Sequence, residues 1–265
     1  MIACIRGAGD LASGIAVRLF RSNIKVVMLD IENPTTVRRT VSFSEAIRLK
    51  NFSVEGIEAY RAENIIEAKE IINKNFIAVL VDPDGEIIKS LCPDVLVDAI
   101  IAKKNLGTKI NDAKIVIGVG PGFTAGIDCH AVIETKRGHT LGRAFYEKGS
   151  QAIKNTGVPG NIGGYSAERV LRAPCDGVIT PVKEIGEIVK AGEVAATVND
   201  VPLYCTIDGM LRGMLAPGVK VFKGMKSGDI DPRGAGIDYL KVSDKALSIA
   251  GGVLEAILHF NHDNS

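Results

Sequence analysis

The sequence predicts an α/β fold in which a Rossmann-like parallel-sheet domain is followed by a small all-β module and a C-terminal helix. Three observations carry this expectation. Apolar, helical and again apolar segments fill the first 30 residues; a glycine turn joins the first two; and a texture rich in Gly, Pro and Val begins near Arg169.

Residues 2–6 (IACIR) read as a strand, Asp10 to Arg21 as a helix through Leu11, Ile15, Val17 and Leu19, and Lys25 to Asp30 (KVVMLD) as a second strand. Further β-branched runs at Ile77–Val81, Val95–Val97 and Ile115–Val119, with helical stretches near Glu63–Asn73 and Glu86–Leu91, continue a parallel sheet. Asn155-Thr156-Gly157-Val158-Pro159-Gly160 reads as the linker out of this domain, set at residues 1–165.

The β module, residues 166–240, contains an internal repeat. Asp176-Gly177, Gly186, Val189 and Gly192 recur 32 positions later as Asp208-Gly209, Gly218, Val221 and Gly224. Two such units must cover each other's apolar faces, which makes a small sandwich or barrel. The pattern resembles the barrel-sandwich-like modules that carry biotin or lipoate. The hairpin that holds the modified lysine in those modules corresponds here to Val198-Asn199-Asp200-Val201-Pro202, without lysine; Met225-Lys226 follows the second repeat's last glycine, so no covalent attachment is expected.

A helix from about Asp244 to His259, capped by Ser243, closes the chain within residues 241–265. Its stripe of Ala246, Ile249, Ala250, Val253, Leu254, Ile257 and Leu258 calls for a packing partner. Gly251-Gly252 costs roughly 1 kcal/mol per residue relative to alanine. Close approach of another backbone, or of a second copy in a homo-oligomer, compensates.

Composition limits function. Lysine plus arginine (32) nearly cancels aspartate plus glutamate (31), which argues against nucleic acid or an anionic membrane as main partner. No stretch approaches the roughly 20 apolar residues that span a bilayer, and a cytoplasmic location is expected. Cys4, Cys92, Cys129, Cys175 and Cys205 are scattered, without C-x-x-C, so reduced thiols and no metal site are expected.

The chemistry concentrates at two glycine clusters. Gly7-Ala8-Gly9-Asp10-Leu11-Ala12 is a G-x-G-x-x-A turn between strand and helix, where free amides and the helix dipole receive a phosphate. Asp30 ends the second strand 23 residues after Gly7, placed to accept ribose hydroxyls. Arg6, and Arg38-Arg39 further on, add cations that can pair with phosphate. The second cluster, Gly118 to Gly126 with Gly120 and Gly122, follows a strand and should border the same crevice.

Beyond it, Cys129 and His130 suggest nucleophile and base, yet neighbours in a strand point to opposite faces. His130 and Glu134 would stand roughly 13 Å apart along a strand, too far to share a metal. Arg137, His139 and Arg143 in a glycine-rich loop form a candidate anion site. Asp82-Pro83-Asp84-Gly85 and Asp229-Ile230-Asp231-Pro232-Arg233 read as acidic turns that could meet Mg²⁺ beside a phosphate.

GAGDLASG (7–14), VRRTVSFSEA (37–46), VDAIIAKKN (97–105), GVGPGFTAGIDCHAVIETKRGHTLGR (118–143), NTGVPG (155–160), GDIDPR (228–233) and SDKALSIAGGVLEAIL (243–258) together resemble the YqeB family. The resemblance implies an accessory protein that matures a selenium-dependent molybdenum hydroxylase, with the hydroxylase and its selenium- and cofactor-handling proteins as partners. It transfers no catalytic residue. It also implies a cysteine near Tyr239, where this chain reads Asp238-Tyr239-Leu240-Lys241-Val242-Ser243, leaving Cys129 as the thiol for sulfur or selenium work. Candidate ligands are NAD and a molybdopterin dinucleotide. Competing expectations are an NAD-dependent oxidoreductase using His130 or His139 as proton donor, and a non-catalytic scaffold that docks a hydroxylase.

Overall fold

The computed structural model describes residues 1–154, 157 and 160–262. The chain forms two compact units: Met1–Pro34, Ser42–Thr156 and Val242–Ser265 make the first, and Thr35–Val41 with Gly157–Lys241 the second. The C-terminal helix, which the sequence set apart, therefore belongs to the first unit, and residues 35–41 belong to the β unit. Of the expected linker, residues 155, 156, 158 and 159 lie outside the described residues.

The first unit is built from β1 (Ile2–Arg6), α1 (Asp10–Arg21), β2 (Lys25–Asp30), α2 (Glu45–Leu49), β3 (Asn51–Val54), β4 (Ile57–Arg61), α3 (Ile65–Asn73), β5 (Ile77–Val81), α4 (Ile88–Leu91), β6 (Val95–Asp98), β7 (Ile115–Val119), β8 (Ala131–Ile133) and β9 (Ala144–Phe145). They form one sheet in the order β3-β4-β5-β2-β1-β6-β7-β8-β9, parallel from β4 to β8, with β3 and β9 antiparallel at its edges. The central strands are apolar almost without a break because both faces are buried.

Each helix has a local cause. Asp10 opens α1 in the favourable field of its N-terminus, and Ala12, Ile15, Ala16 and Leu19 are buried. Asn64 caps α3 by accepting from the Ile66 and Glu67 amides at 2.9 and 3.0 Å. The last helix, α5 (Asp244–His262), starts with the Ala246 amide donating to Ser243 Oγ at 3.2 Å and buries Ala246, Ile249, Ala250, Val253, Ala256 and Ile257. It packs against α1, and at its glycine pair a Cβ on Gly252 would overlap the Gly142 carbonyl oxygen. The Gly142 backbone, inside the same unit, thus occupies the close approach that Gly252 permits, whereas a Cβ on Gly251 would meet open space.

The β unit contains β10 (Val170–Arg172), β11 (Gly177–Pro181), β12 (Ile188–Val189), β13 (Val194–Val198), β14 (Val201–Tyr204), β15 (Gly209–Met214), β16 (Lys220–Val221) and β17 (Lys226–Asp231). Two four-stranded antiparallel sheets, β10-β17-β15-β12 and β14-β13-β11-β16, share one apolar core that includes Ile179, Val198, Leu211 and Ile230. The strands exchange: β12 of the first repeat pairs with β15 of the second, and β16 of the second with β11 of the first.

The 32-residue offset extends to individual hydrogen bonds. Ile179 donates to the Val219 carbonyl and Leu211 to Glu187; Gly192 donates to Cys205 and Gly224 to Ala173. The Asp176 carboxylate accepts from the Lys223 amide as Asp208 accepts from Ala191. Residues 35–41 dock on β15 within this unit: the Met214 amide donates to the Val37 carbonyl at 2.8 Å, and Arg39 Nε donates to the Met214 carbonyl at 2.8 Å.

Candidate functional site

The sheet places the ends of β1, β2, β5, β6 and β7 side by side at its carboxyl edge, where Arg6, Asp30, Asp82, Asp98 and the second glycine cluster emerge. The Gly7 turn requires glycine: φ is +99°, and a Cβ there would stand 2.9 Å from the Ala99 carbonyl oxygen. The Gly7 amide continues the sheet by donating to the Leu29 carbonyl, and the Ala8 amide donates to Asp30 Oδ2 at 2.8 Å. No acceptor among the described residues takes the Gly9, Leu11 or Ala12 amide. Those donors sit at the positive end of α1, where an anion is stabilised.

Asp30 is thus bound to the turn itself. Its Oδ1 accepts from the Ile31 amide at 2.8 Å, and burial pushes its pKa up against the opposing pull of the Ile31 and Ala8 amides. Below the turn, Ser13 Oγ donates to the Ala8 carbonyl and accepts from the Phe43 amide, while the Ser44 amide donates to the same carbonyl. The turn is held in place from beneath by groups with no exposure to solvent.

Arg6 does not face this turn as a phosphate ligand would. It is buried, donating to Thr108 Oγ1 at 2.7 Å, to Asp98 Oδ2 at 3.4 Å and to the Pro83 carbonyl at 3.2 Å. Thr108 Oγ1 in turn donates to Asp98 Oδ2 at 2.6 Å. Sequence reasoning missed Asp98 and Thr108. The available signal was an acid closing a buried strand, as Asp30 does. Arg38 and Arg39 lie in the β unit, donating to the carbonyls of Lys241 and Met214.

The second glycine cluster meets the loop after β6. A Cβ at Gly122 would lie 2.6 Å from Lys104 Cα, and Gly120 donates its amide to the Ile133 carbonyl. The loop that begins against Gly7 at Ala99 and Ile100 therefore reaches Gly122 at Lys104, joining the two glycine clusters through the residues between.

Cys129 and His130 do not form a dyad. Cys129 is fully buried, and burial pushes its thiol up to about 12, which keeps it protonated and unreactive at neutral pH. His130 Nδ1 accepts from the Val116 amide at 3.0 Å, its ring meets Phe260 edge-on, and burial lowers its pKa. Glu134 is also fully buried, accepting from the Thr135, Lys136 and Ile153 amides.

Arg137, His139 and Arg143 follow on an exposed loop, but Arg137 makes a two-pronged pair with Asp244 at the start of α5, at 2.8 and 3.0 Å. Asp82 accepts from the Gly85, Glu86 and Ile87 amides and so closes its own turn. Asp229 and Asp231 are paired with Arg169, Arg212 and Arg233. Among the described residues no group of three or more His, Cys, Asp or Glu is placed to hold a metal ion, and no helix is long and apolar enough to cross a membrane.

No family model matches the chain. A curated relative, the uncharacterized protein YqeB of Escherichia coli strain K12, is 48% identical over 261 residues, covering 98% of this chain and 48% of the relative. The chain thus spans about half the length of the relative it matches. Among solved structures, a succinylglutamate desuccinylase/aspartoacylase from Rhodobacter sphaeroides matches 24% of this chain and 22% of its own, at 26% identity and a TM-score of 0.22. An aspartoacylase family protein from Mesorhizobium loti covers 80% of this chain and 58% of its own, at 11% identity and a TM-score of 0.26. Likenesses this slight carry no argument.

Proposed function

Since this chain belongs to the YqeB family, we propose that it is an accessory protein for a selenium-dependent molybdenum hydroxylase. In this reading it binds a nucleotide, or the nucleotide half of a molybdopterin dinucleotide, on the Gly7–Ala12 turn. The observation that supports binding is the row of amides at Gly9, Leu11 and Ala12 that no acceptor among the described residues takes. The strand order adds support. With the β3–β4 hairpin set aside as an edge addition, the parallel strands numbered along the chain run 3-2-1-4-5-6 across the sheet, as in dinucleotide-binding Rossmann domains. The order reverses between β1 and β6, where such folds bind their ligands. The hydroxylase role rests on the family resemblance.

The chemistry assigned to this chain is binding and presentation. Helix-terminal amides hold a phosphate, Asp30 keeps the turn in register, and the Asp98–Arg6–Thr108 cluster fixes the neighbouring loop. Cys129 carries no step, because a buried protonated thiol cannot serve as nucleophile. Mass spectrometry of small molecules released from the purified protein identifies the ligand: a pterin dinucleotide supports maturation, NAD supports an oxidoreductase, and neither favours a scaffold. Gly9 has φ −69° and ψ −176°, which any residue adopts, so Gly9→Val should fold. Its expected outcome is loss of nucleotide-induced thermal stabilisation; a melting shift equal to that of the unmodified protein removes the site assignment.

A further inference from the structure

We propose that Lys103 and Lys104 extend the phosphate site along the loop after β6, so that the turn accepts a chain of two or more phosphates leading away from Gly7. The inference rests on the nucleotide reading above and names the ligand class within it: a nucleoside di- or triphosphate, or the pyrophosphate of a dinucleotide.

Placement carries the argument. The loop is anchored at both ends by close backbone approaches, Ala99 and Ile100 against Gly7 and Lys104 against Gly122, so it runs from the phosphate turn to the second glycine cluster with Lys103 and Lys104 at its far end. Gly7 follows β1 and Gly120 follows β7, with β6 between them. Two strand spacings make that gap roughly 10 Å. One phosphate on the α1 amides cannot cover such a distance; a phosphate chain can.

Charge points the same way. Residues 99–111 contain Lys103, Lys104 and Lys109 and no acidic residue, in a protein whose net charge is only +1. Lys103 and Lys104 are exposed and have no carboxylate partner among the described residues. Lys148 stands beside the same cluster, its Cγ 2.9 Å from where a Gly126 Cβ would lie, and it too has no ion pair among the described residues. Two acids that border these loops are already engaged: Asp98 with Arg6 and Thr108, and Asp128 with the Thr124 amide. Lysines on a loop that leads away from amide donors favour a multiply charged anion, and as point charges they tolerate a flexible phosphate chain.

Isothermal titration with AMP, ADP and ATP tests this on the full-length protein and on a Lys103→Ala/Lys104→Ala variant. The unmodified protein should bind ADP and ATP at least about tenfold more tightly than AMP, a difference of roughly 1.4 kcal/mol. The double variant, altered only at exposed side chains, should lose most of that preference while its AMP affinity stays within about twofold. Raising salt should narrow the preference in the unmodified protein alone. An unchanged ADP-to-AMP ratio in the variant overturns the lysine assignment while leaving the Gly7 turn intact. Failure of the unmodified protein to bind any of the three nucleotides overturns the turn and this proposal together.

Discussion

The two repeats of the β unit use the same backbone programme and opposite chemistry. Gly177 and Gly209 have φ of +156° and +155°, and their strands trade partners through matching hydrogen bonds. Where the first repeat sets Thr180 opposite Thr197, the second carries Arg212 on a bulged β15 beside Asp229. Where the first has Asn199, the second has the fully buried Asp231, which takes hydrogen bonds from Arg212 and Arg233. Glycines and alternating apolar residues therefore specify the shape of each half. The ion network sits on the second half, joined by Arg169 from before the first repeat, and the bulge between Leu211 and Gly213 that carries Arg212 comes with it.

The largest effect should come from Asp231→Ala, which leaves two guanidinium groups facing a vacated carboxylate site. A loss of about 3 kcal/mol is expected in urea unfolding. The shifted counterpart, Asn199→Ala, removes one bond to the Val178 amide and should cost about 1 kcal/mol. Equal losses would mean that the network adds nothing to its half. The same pair of variants predicts a pH effect. Burial alone would raise the Asp231 pKa, but hydrogen bonds from Arg233 and the attraction of Arg212 and Arg233 hold it below the usual value. A depressed carboxylate stabilises the fold above its unfolded pKa of about 4 and loses that contribution as pH falls through the folded value. The stability gap between unmodified protein and Asp231→Ala should therefore shrink below about pH 4.

Next in size, Gly209→Ala should cost about 2 kcal/mol, since its Cβ would run into the Asp231 carbonyl. Gly177→Ala meets the Asn199 side chain first, which can swing aside, and should cost about half as much. Matching midpoint shifts in denaturant would show that the left-handed conformation, rather than the neighbour, sets the penalty. The smallest effect should follow from grafting the charges: Thr180→Arg with Thr197→Asp makes a cross-strand pair on a more exposed face, and should change stability by under about 1 kcal/mol.

Local pattern and long-range pairing differed in how far the sequence revealed them. The limits of β1, α1, β2, β5 and β7 follow from apolar runs and helical spacing, because burial on both faces of a parallel strand leaves a mark on every residue of it. The 32-residue repeat was legible because positive-φ turns demand glycine at fixed spacing. Arg6 was read as a phosphate ligand because it adjoins Gly7 in sequence, whereas its side chain serves Thr108, 102 residues away. Arg137 resembled an anion donor until Asp244, 107 residues on, was seen to claim it. Cys129 stands in the sequence as a thiol for sulfur or selenium work, yet reactivity depends on exposure, which neighbouring residues do not encode. In each case the missing information was a contact made by the fold.

The excursion of residues 35–41 has a practical corollary. The chain leaves the α/β unit after Pro34, lends seven residues to the β unit, and returns at Ser42. A clone beginning at Gly157 would omit the stretch that receives the Met214 amide, and one ending before it would carry Val37, Arg38 and Arg39 with nothing to dock on. Neither half is a portable cassette, and recombination that exchanged one without the other would have to replace both pieces at once.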